Sequence, residues 1–204
     1  VAETYDPIQL EPSQSRRAAA LLARAFHDDP VYRLTVSDES KRASALTWLF
    51  ERVMRYCILY GHTFTTPGLE GIAGWLPPGH SALTLGRIIR SGLHATPLKL
   101  GLSAYRRFDT YMTYADKLHA RLAPRSHWYL WIIGVEPVCQ GQGIGSRLLQ
   151  PILARADADG VPCYLETEGE RNVRFYEKLG FKVAHQGLVP KLGVGVWAML
   201  REPG

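Results

Sequence analysis

The chain has 204 residues, 46% hydrophobic, 10% aromatic and 21% charged, which supports a substantial core in one ordinary domain or two small ones and argues against disorder. Its most apolar stretch, Trp128 to Val135, is too short for a membrane span of about 20 residues, and Val1 to Glu11 has neither the basic start nor the apolar run of a secretory leader, so a cytoplasmic protein without membrane contact is expected. The net charge of +5 is concentrated in residues 80–126, where eight Lys or Arg, from Arg87 to Arg125, face only Asp109 and Asp116; their scatter excludes a nucleic-acid reader and leaves solvated helix faces or attraction of a small polyanion.

In chain order, Ile8 to Leu10 reads as a short strand and Ser13 to Phe26 as a helix with Ala18, Leu21, Leu22 and Ala25 at helical spacing. Asp29-Pro30 ends it. A second helix is predicted from Ser40 to Tyr60, with Leu46, Leu49, Phe50, Val53, Met54 and Cys57 on one face and Gly61 as its stop. His62 to Thr66 and Glu70 to Leu76 read as a hairpin about Pro67-Gly68. Residues 80–125 read as one or more helices, interrupted at Gly86, Gly92, Pro97 and Gly101.

The signals sharpen from His127. A nearly continuous apolar strand runs to Val135, with Trp128, Leu130 and Ile132 as core residues. A glycine-rich turn then opens an amphipathic helix that ends at Asp159-Gly160 and that Pro151 should bend. A strand over Pro162 to Thr167, a helix from Asn172 to Leu179 and strands over Phe181 to His185 and Val194 to Leu200 complete a β-α-β-α-β-β order. No linker interrupts it, so a single α/β domain is expected.

Cys57, Cys139 and Cys163 are an odd, widely spaced set without a Cys-x-x-Cys pair, which argues against both a disulfide framework and a zinc cluster. The histidines have no metal-ligand spacing. His27-Asp28-Asp29 reads as a polar turn before Pro30, and no metal is expected.

The most informative stretch is Gln140-Gly141-Gln142-Gly143-Ile144-Gly145-Ser146, between the apolar strand and the amphipathic helix. Glycines let main-chain N–H groups approach a ligand, and the dipole of the following helix favours negative charge there. A Walker loop would need a Lys, and a dinucleotide fingerprint would need a third glycine where Ser146 stands and an acidic ribose ligand further on. Neither is present. A glycine-rich connection without a ligand is the remaining alternative.

At this point the sequence resembles the GNAT acetyltransferase superfamily, whose Gln/Arg-x-x-Gly-x-Gly/Ala loop is matched by Gln140, Gly143 and Gly145. Residues 127–203 look like its puromycin N-acetyltransferase branch, through Leu165-Glu166-Thr167, Arg171-Asn172 and Phe175-Tyr176-Glu177-Lys178-Leu179-Gly180-Phe181. The likeness thins to Ala73-Gly74-Trp75 with Pro78 and to Ala25-Phe26 with Pro30, and residues 80–125 give little to match. It implies an α/β GNAT fold, a mixed and mostly antiparallel twisted sheet flanked by helices, with a splayed strand pair for the cofactor. Residues 1–126 would be the acceptor-side half and 127–204 the acetyl-CoA-binding half.

The resemblance implies that the backbone of Ile133, Gly134 and Val135 holds the pantetheine of acetyl-CoA and that Gln140, Gly141, Gln142, Gly143, Ile144, Gly145 and Ser146 hold its pyrophosphate. Asn172 and Tyr176 would lie near the thioester sulfur, with Phe175 among the cofactor contacts, and the Val135 amide would donate to the thioester oxygen. Tyr176 is the expected general acid: a phenol, with an ordinary pKa of about 10, is protonated at neutral pH and can give its proton to a departing thiolate. On spacing alone, a packing tyrosine beside Phe175 explains it equally well. Glu166 is the expected base for the acceptor amine, with Glu168 and Glu170 close by in sequence. Cys139 next to the turn is expected to be a packing thiol.

Acceptor contacts are expected from Phe26, Trp75 and Glu166, with Tyr105 and Tyr111 read rather as core. The resulting expectation is an acetyl-CoA-dependent N-acetyltransferase for a small-molecule primary amine, extending to antibiotic-like and aminonucleoside acceptors. A protein lysine or N-terminal acetyltransferase and a non-catalytic acyl-CoA sensor are the competing readings. A homodimer is compatible with either.

Overall fold

The computed structural model describes residues 6–123 and 126–204. The first five residues of the stretch read for a leader, and Arg125 with the end of the expected 80–125 helical segment, lie outside the described residues. In chain order, β1 (Ile8–Gln9) is followed by α1 (Ser15–Ala25), α2 (Pro30–Thr35) and α3 (Glu39–Tyr60). The hairpin β2 (His62–Thr65) and β3 (Gly71–Leu76) leads into α4 (Leu85–Ser91), α5 (Thr96–Leu100) and α6 (Leu102–Leu122). Then come β4 (Trp128–Val135), α7 (Ile144–Asp159), β5 (Cys163–Thr167), α8 (Glu170–Glu177), β6 (Lys182–Leu188) and β7 (Gly195–Arg201).

The strands form one seven-stranded sheet in the order β1-β2-β3-β4-β5-β7-β6. Every neighbouring pair is antiparallel except β4 and β5, which α7 joins as a parallel crossover. The amphipathic face of α7, with Leu148, Leu149, Ile152 and Leu153, packs on one side of the sheet against Trp128, Leu130, Leu165 and Met199. On the other side, Leu21 and Leu22 of α1 and Leu46, Phe50 and Met54 of α3 cover Ile72 and Ile132. Each such fully buried side chain contributes about 1.5–3 kcal/mol of transfer free energy.

One irregularity sets the geometry of everything that follows. Gly74 opposes Ile132 while Trp75 opposes Leu130, so Trp131 is an extra residue on β4. Such a bulge bends its strand and shifts the side-chain alternation by one. Leu130 accordingly packs toward α7, whereas Ile132 joins the α1–α3 side. Trp128, Leu130 and Ile132 are core residues as expected, the first two on the α7 side and Ile132 on the α1–α3 side. Pairing between β4 and β5 is confined to Trp128↔Cys163 and Tyr129↔Tyr164 and stops where the bulge begins. Beyond it the two strands splay.

Residues 80–123 resolve into two short helices and the 21-residue α6, which starts after Gly101 in a positive-φ conformation. α7 runs its full 16 residues through Pro151. α8 starts two residues earlier than its sequence pattern suggests, because Gly169 serves as its N-cap. No described helix is long and apolar enough to cross a membrane.

Candidate active site

The site grows out of the splay. The Glu136 amide donates to the Glu70 carbonyl at 2.8 Å, so the backbone of Glu136 faces β3. By strand alternation the N–H and C=O groups of Val135 and Ile133 face the opposite edge, toward the gap left by β5. Gly134 between them is required by packing: a Cβ there would come within 2.7 Å of Leu22 Cδ2 on α1. The Gln140 side chain donates to the Val135 carbonyl at 3.2 Å, tying the turn to the end of β4.

In the turn, Gly141 and Gly143 have φ of +79° and +78°, a conformation that favours glycine, and a Cβ on either would point into open space. Gly143 is the N-cap of α7, and no side chain caps the helix. The amides of its first turn are therefore left for a ligand or solvent. Gly145 lets α7 approach α8, since a Cβ would lie 3.2 Å from Phe175 Cζ.

These groups line an outer cavity of about 690 Å³, bounded by Ile133–Val135, the turn and α8. Arg171 and Arg174 of α8, with Lys178 at its C-cap, stand on one wall. Uncapped helix amides and three cations suit a ligand carrying several phosphates. Among the expected cofactor residues, Gln142 does not line this cavity; its side chain turns to the Val138 carbonyl at 3.5 Å, on the solvent side of the turn. Ile144 is 4% exposed, so only its backbone is available.

An inner cavity lies beyond, and Phe26, Ile133, Asn172 and Tyr176 line both. Asn172 donates to Thr167 Oγ1 at 3.1 Å, which anchors α8 to the end of β5. Tyr176 is 6% exposed; burial, and then the nearby Glu168 carboxylate, raise its pKa above the ordinary phenol range. It remains protonated at physiological pH. Glu166 accepts a 2.8 Å hydrogen bond from the Tyr129 hydroxyl on Oε2, while its Oε1 is buried without a hydrogen-bond partner. Burial pushes its carboxyl up to about 7 against the opposing pull of the Tyr129 and Tyr164 hydroxyls. Glu168, which accepts from the Tyr111 hydroxyl, is raised by burial and by the charge of Asp29.

Three aromatic expectations change, those for Trp75, Tyr111 and Tyr105. Trp75 is fully buried beneath α7 and lines neither cavity, because β3 is buried on both faces and its odd positions pack inward. It is a core residue, not an acceptor wall. Tyr111, read as core, is buried yet reaches the inner cavity. Tyr105 hydrogen-bonds Asp109 on the α6 surface. The basic centre of the chain also has a structural use: Arg107 donates to the carbonyls of Leu34 and Thr35 at 2.6 and 3.1 Å, fastening α6 to α2. The cations at the outer cavity were missed. Their signal was the i, i+3, i+7 spacing of Arg171, Arg174 and Lys178. Asp29, read as part of a turn, is the N-cap of α2 and accepts from the amides of Val31 and Tyr32.

The sequence model of the acetyltransferase (GNAT) family matches residues 103–181, from α6 through α8. An uncharacterized N-acetyltransferase of Schizosaccharomyces pombe is 33% identical over 206 residues, covering 96% of this chain and 82% of that protein. Among solved structures, a protein of Corynebacterium glutamicum described as histone acetyltransferase HPA2 and related acetyltransferase superposes with a TM-score of 0.66 at 20% identity, over 98% of both chains. A polyamine N-acetyltransferase of Drosophila melanogaster gives 0.61 at 13% identity, over 97% of this chain and 100% of that one. The extent of the first relationship and the match of the family model agree with the splayed strands and the glycine turn: the chain belongs to the GNAT family of acetyl-CoA-dependent N-acetyltransferases.

Proposed function

We propose that this acetyltransferase acts on the primary amine of a small molecule, within a ternary complex and without a covalent enzyme intermediate. The observation that carries this reading is the junction of the two cavities at Phe26, Ile133, Asn172 and Tyr176. The inner cavity is roofed by α2 and α6, and Tyr111 of α6 reaches across to Glu168. A protein acceptor would call for an open groove beside β5.

In this reading the amides of Gly143 to Ser146, with Arg171, Arg174 and Lys178, hold the phosphates of acetyl-CoA, and the free edge of Ile133 and Val135 holds its pantetheine amides. Bound acetyl-CoA supplies the acetyl group as a thioester. Glu166 takes one proton from the acceptor ammonium, and the neutral nitrogen forms the new C–N bond as the C–S bond breaks. The Val135 N–H faces the negative charge that develops on the carbonyl oxygen. Tyr176 gives its proton to the departing sulfur and regains one from the product nitrogen, and the proton on Glu166 leaves to solvent. The likeness of residues 127–203 to the puromycin branch keeps antibiotic-like and aminonucleoside amines within the acceptor class. We read the chain as one domain, with residues 1–126 shaping the acceptor cavity and 127–204 holding the cofactor. Screening small amines, puromycin among them, and lysine or N-terminal peptides for release of free CoA tests this; turnover with peptides alone would contradict it.

A further inference from the structure

The segment from α4 to the start of α6 reverses the ordinary burial rule for a helix. On α4 the buried residue is Ser91 and on α5 it is Thr96, whose hydroxyls turn back onto the carbonyls of Ile88 and Leu93. The aliphatic side chains of the same elements face outward: Leu85 is 72% exposed, Ile89 53%, Leu98 90% and Leu102 59%. Leu85 and Ile89, four apart on α4, share a face. α4 and α5 both pack on α3, and α5 packs on α6, which joins the three elements into one surface. A single exposed leucine is ordinary, but four aliphatic groups on contiguous elements mark a contact surface.

This surface carries one sign of charge. From Gly71 to Phe108 the sequence has no Asp or Glu. Arg87 is taken up by the Tyr60 ring and the His80 carbonyl, and Arg107 by the carbonyls of α2. Arg90, Lys99 and Arg106 remain exposed, Arg90 next to Ile89, Lys99 next to Leu98, and Arg106 one turn on from Leu102.

Charge and apolarity together select the occupant. A second copy would bring like charges face to face. A protein contact gathers its apolar residues, aromatics above all, into a centre with few charges, whereas here aliphatic groups and cations alternate. An anionic bilayer surface accommodates the alternation: aliphatic side chains enter below the headgroups, while the long stems of Lys and Arg carry their charges back up to the phosphates.

We propose that the face formed by α4, α5 and the start of α6 docks on an anionic phospholipid surface, with Leu85, Ile89, Leu98 and Leu102 entering the interface and Arg90, Lys99 and Arg106 on the headgroups. Such contact needs no spanning helix, and it replaces the expectation of no membrane contact, which rested on the length of the apolar runs. It is independent of the acceptor and mechanism proposed above.

The test is co-sedimentation of the full chain with vesicles of phosphatidylcholine, alone or with about 30% phosphatidylserine. Binding to the anionic vesicles should be at least about tenfold tighter at about 0.1 M salt, with most of that preference lost at about 0.5 M. Arg90→Glu with Lys99→Glu should weaken it about tenfold or more, whereas Arg16→Glu with Arg17→Glu, an equal change of charge on exposed residues of α1, should cost less than about threefold. Leu85→Ser with Leu98→Ser should weaken it about tenfold at unchanged net charge, which separates insertion from simple attraction. None of these residues lines either cavity, so CoA binding and thermal melting check that each variant is folded. Should a charge variant fail to fold, the leucine pair and the salt series decide the matter. Equal binding to both kinds of vesicle, or the same loss for the α1 pair as for the α4–α5 pair, would overturn the proposal. So would self-association without vesicle binding, abolished by Leu98→Ser in sedimentation equilibrium, or vesicle binding that ignores the leucine pair, which would leave only the charge attraction expected of an acidic partner.

Discussion

Glu166 is the residue whose environment makes the sharpest statement about rate. Its carboxyl, held at about 7 by burial, must be unprotonated to accept a proton. The pH profile of kcat/KM should therefore rise through about pH 7. Glu166→Gln should abolish that limb and lower kcat by roughly 10²–10⁴-fold, the usual contribution of a positioned base; a variant with the wild-type profile would contradict the assignment. Stability should move the opposite way. Because the folded pKa of about 7 lies above the ordinary 4.5, the folded state binds this proton more tightly than the unfolded chain does, and the resulting stabilisation is full below pH 4.5 and gone above about 7. Glu166→Gln should then raise Tm at pH 8 by roughly a few degrees and leave it unchanged near pH 4, as measured by calorimetry. Tyr176 keeps its proton throughout this range, as the acid role proposed for it requires. Tyr176→Phe should lower kcat by about 10²-fold or more with CoA affinity unchanged, and undiminished turnover would remove its role.

Among the elements, the turn into α7 and the helix α8 line the outer cavity proposed for the cofactor. A Cβ at Gly143 would meet no protein atom, so Gly143→Asp puts a negative charge into the outer cavity without crowding the core. CoA binding should be lost while the fold persists by circular dichroism. Replacing Arg171 and Arg174 together by Ala should weaken CoA about tenfold at low salt, with the difference shrinking as ionic strength rises toward a Debye length of about 8 Å or less. The turn was legible in sequence because its causes are local: glycines at positive φ, then an amphipathic helix start. The splay was not derivable from residue pattern, because the Trp131 bulge arises from the register of β4 against β3, a tertiary fact. Counting charge by segment pointed to residues 80–126, yet Arg107 spends its charge on α2 carbonyls while α8 presents cations to the cavity. Trp75 was misassigned for a related reason: an aromatic on a strand reads the same whether it faces a cavity or a helix.

Over the whole molecule, one sheet with helices on both faces brings the two ends of the reaction together. The parallel step from β4 to β5 places the turn and α8 at the open end of the splay, and α1, α2 and α6 close the other side of the same opening. Residues 127–204 could be read element by element from sequence, since their strand, turn and helix signals agree at every level. Residues 80–123 could not, because α4, α5 and α6 take their positions from packing against α2, α3 and β7 rather than from a strong internal pattern. In the proposed function that same segment shapes the acceptor cavity, which Tyr111 and Met112 line. The central claim, that the outer cavity holds coenzyme A by the main chain of the glycine turn, is most directly tested by titrating CoA calorimetrically into the wild-type protein and into Gly143→Asp. Saturable one-to-one binding that disappears in a variant that still unfolds cooperatively, its melting lowered only by the cost of a side chain at positive φ, is the result expected. Absence of binding to the wild type, or equal affinity in both, would contradict it.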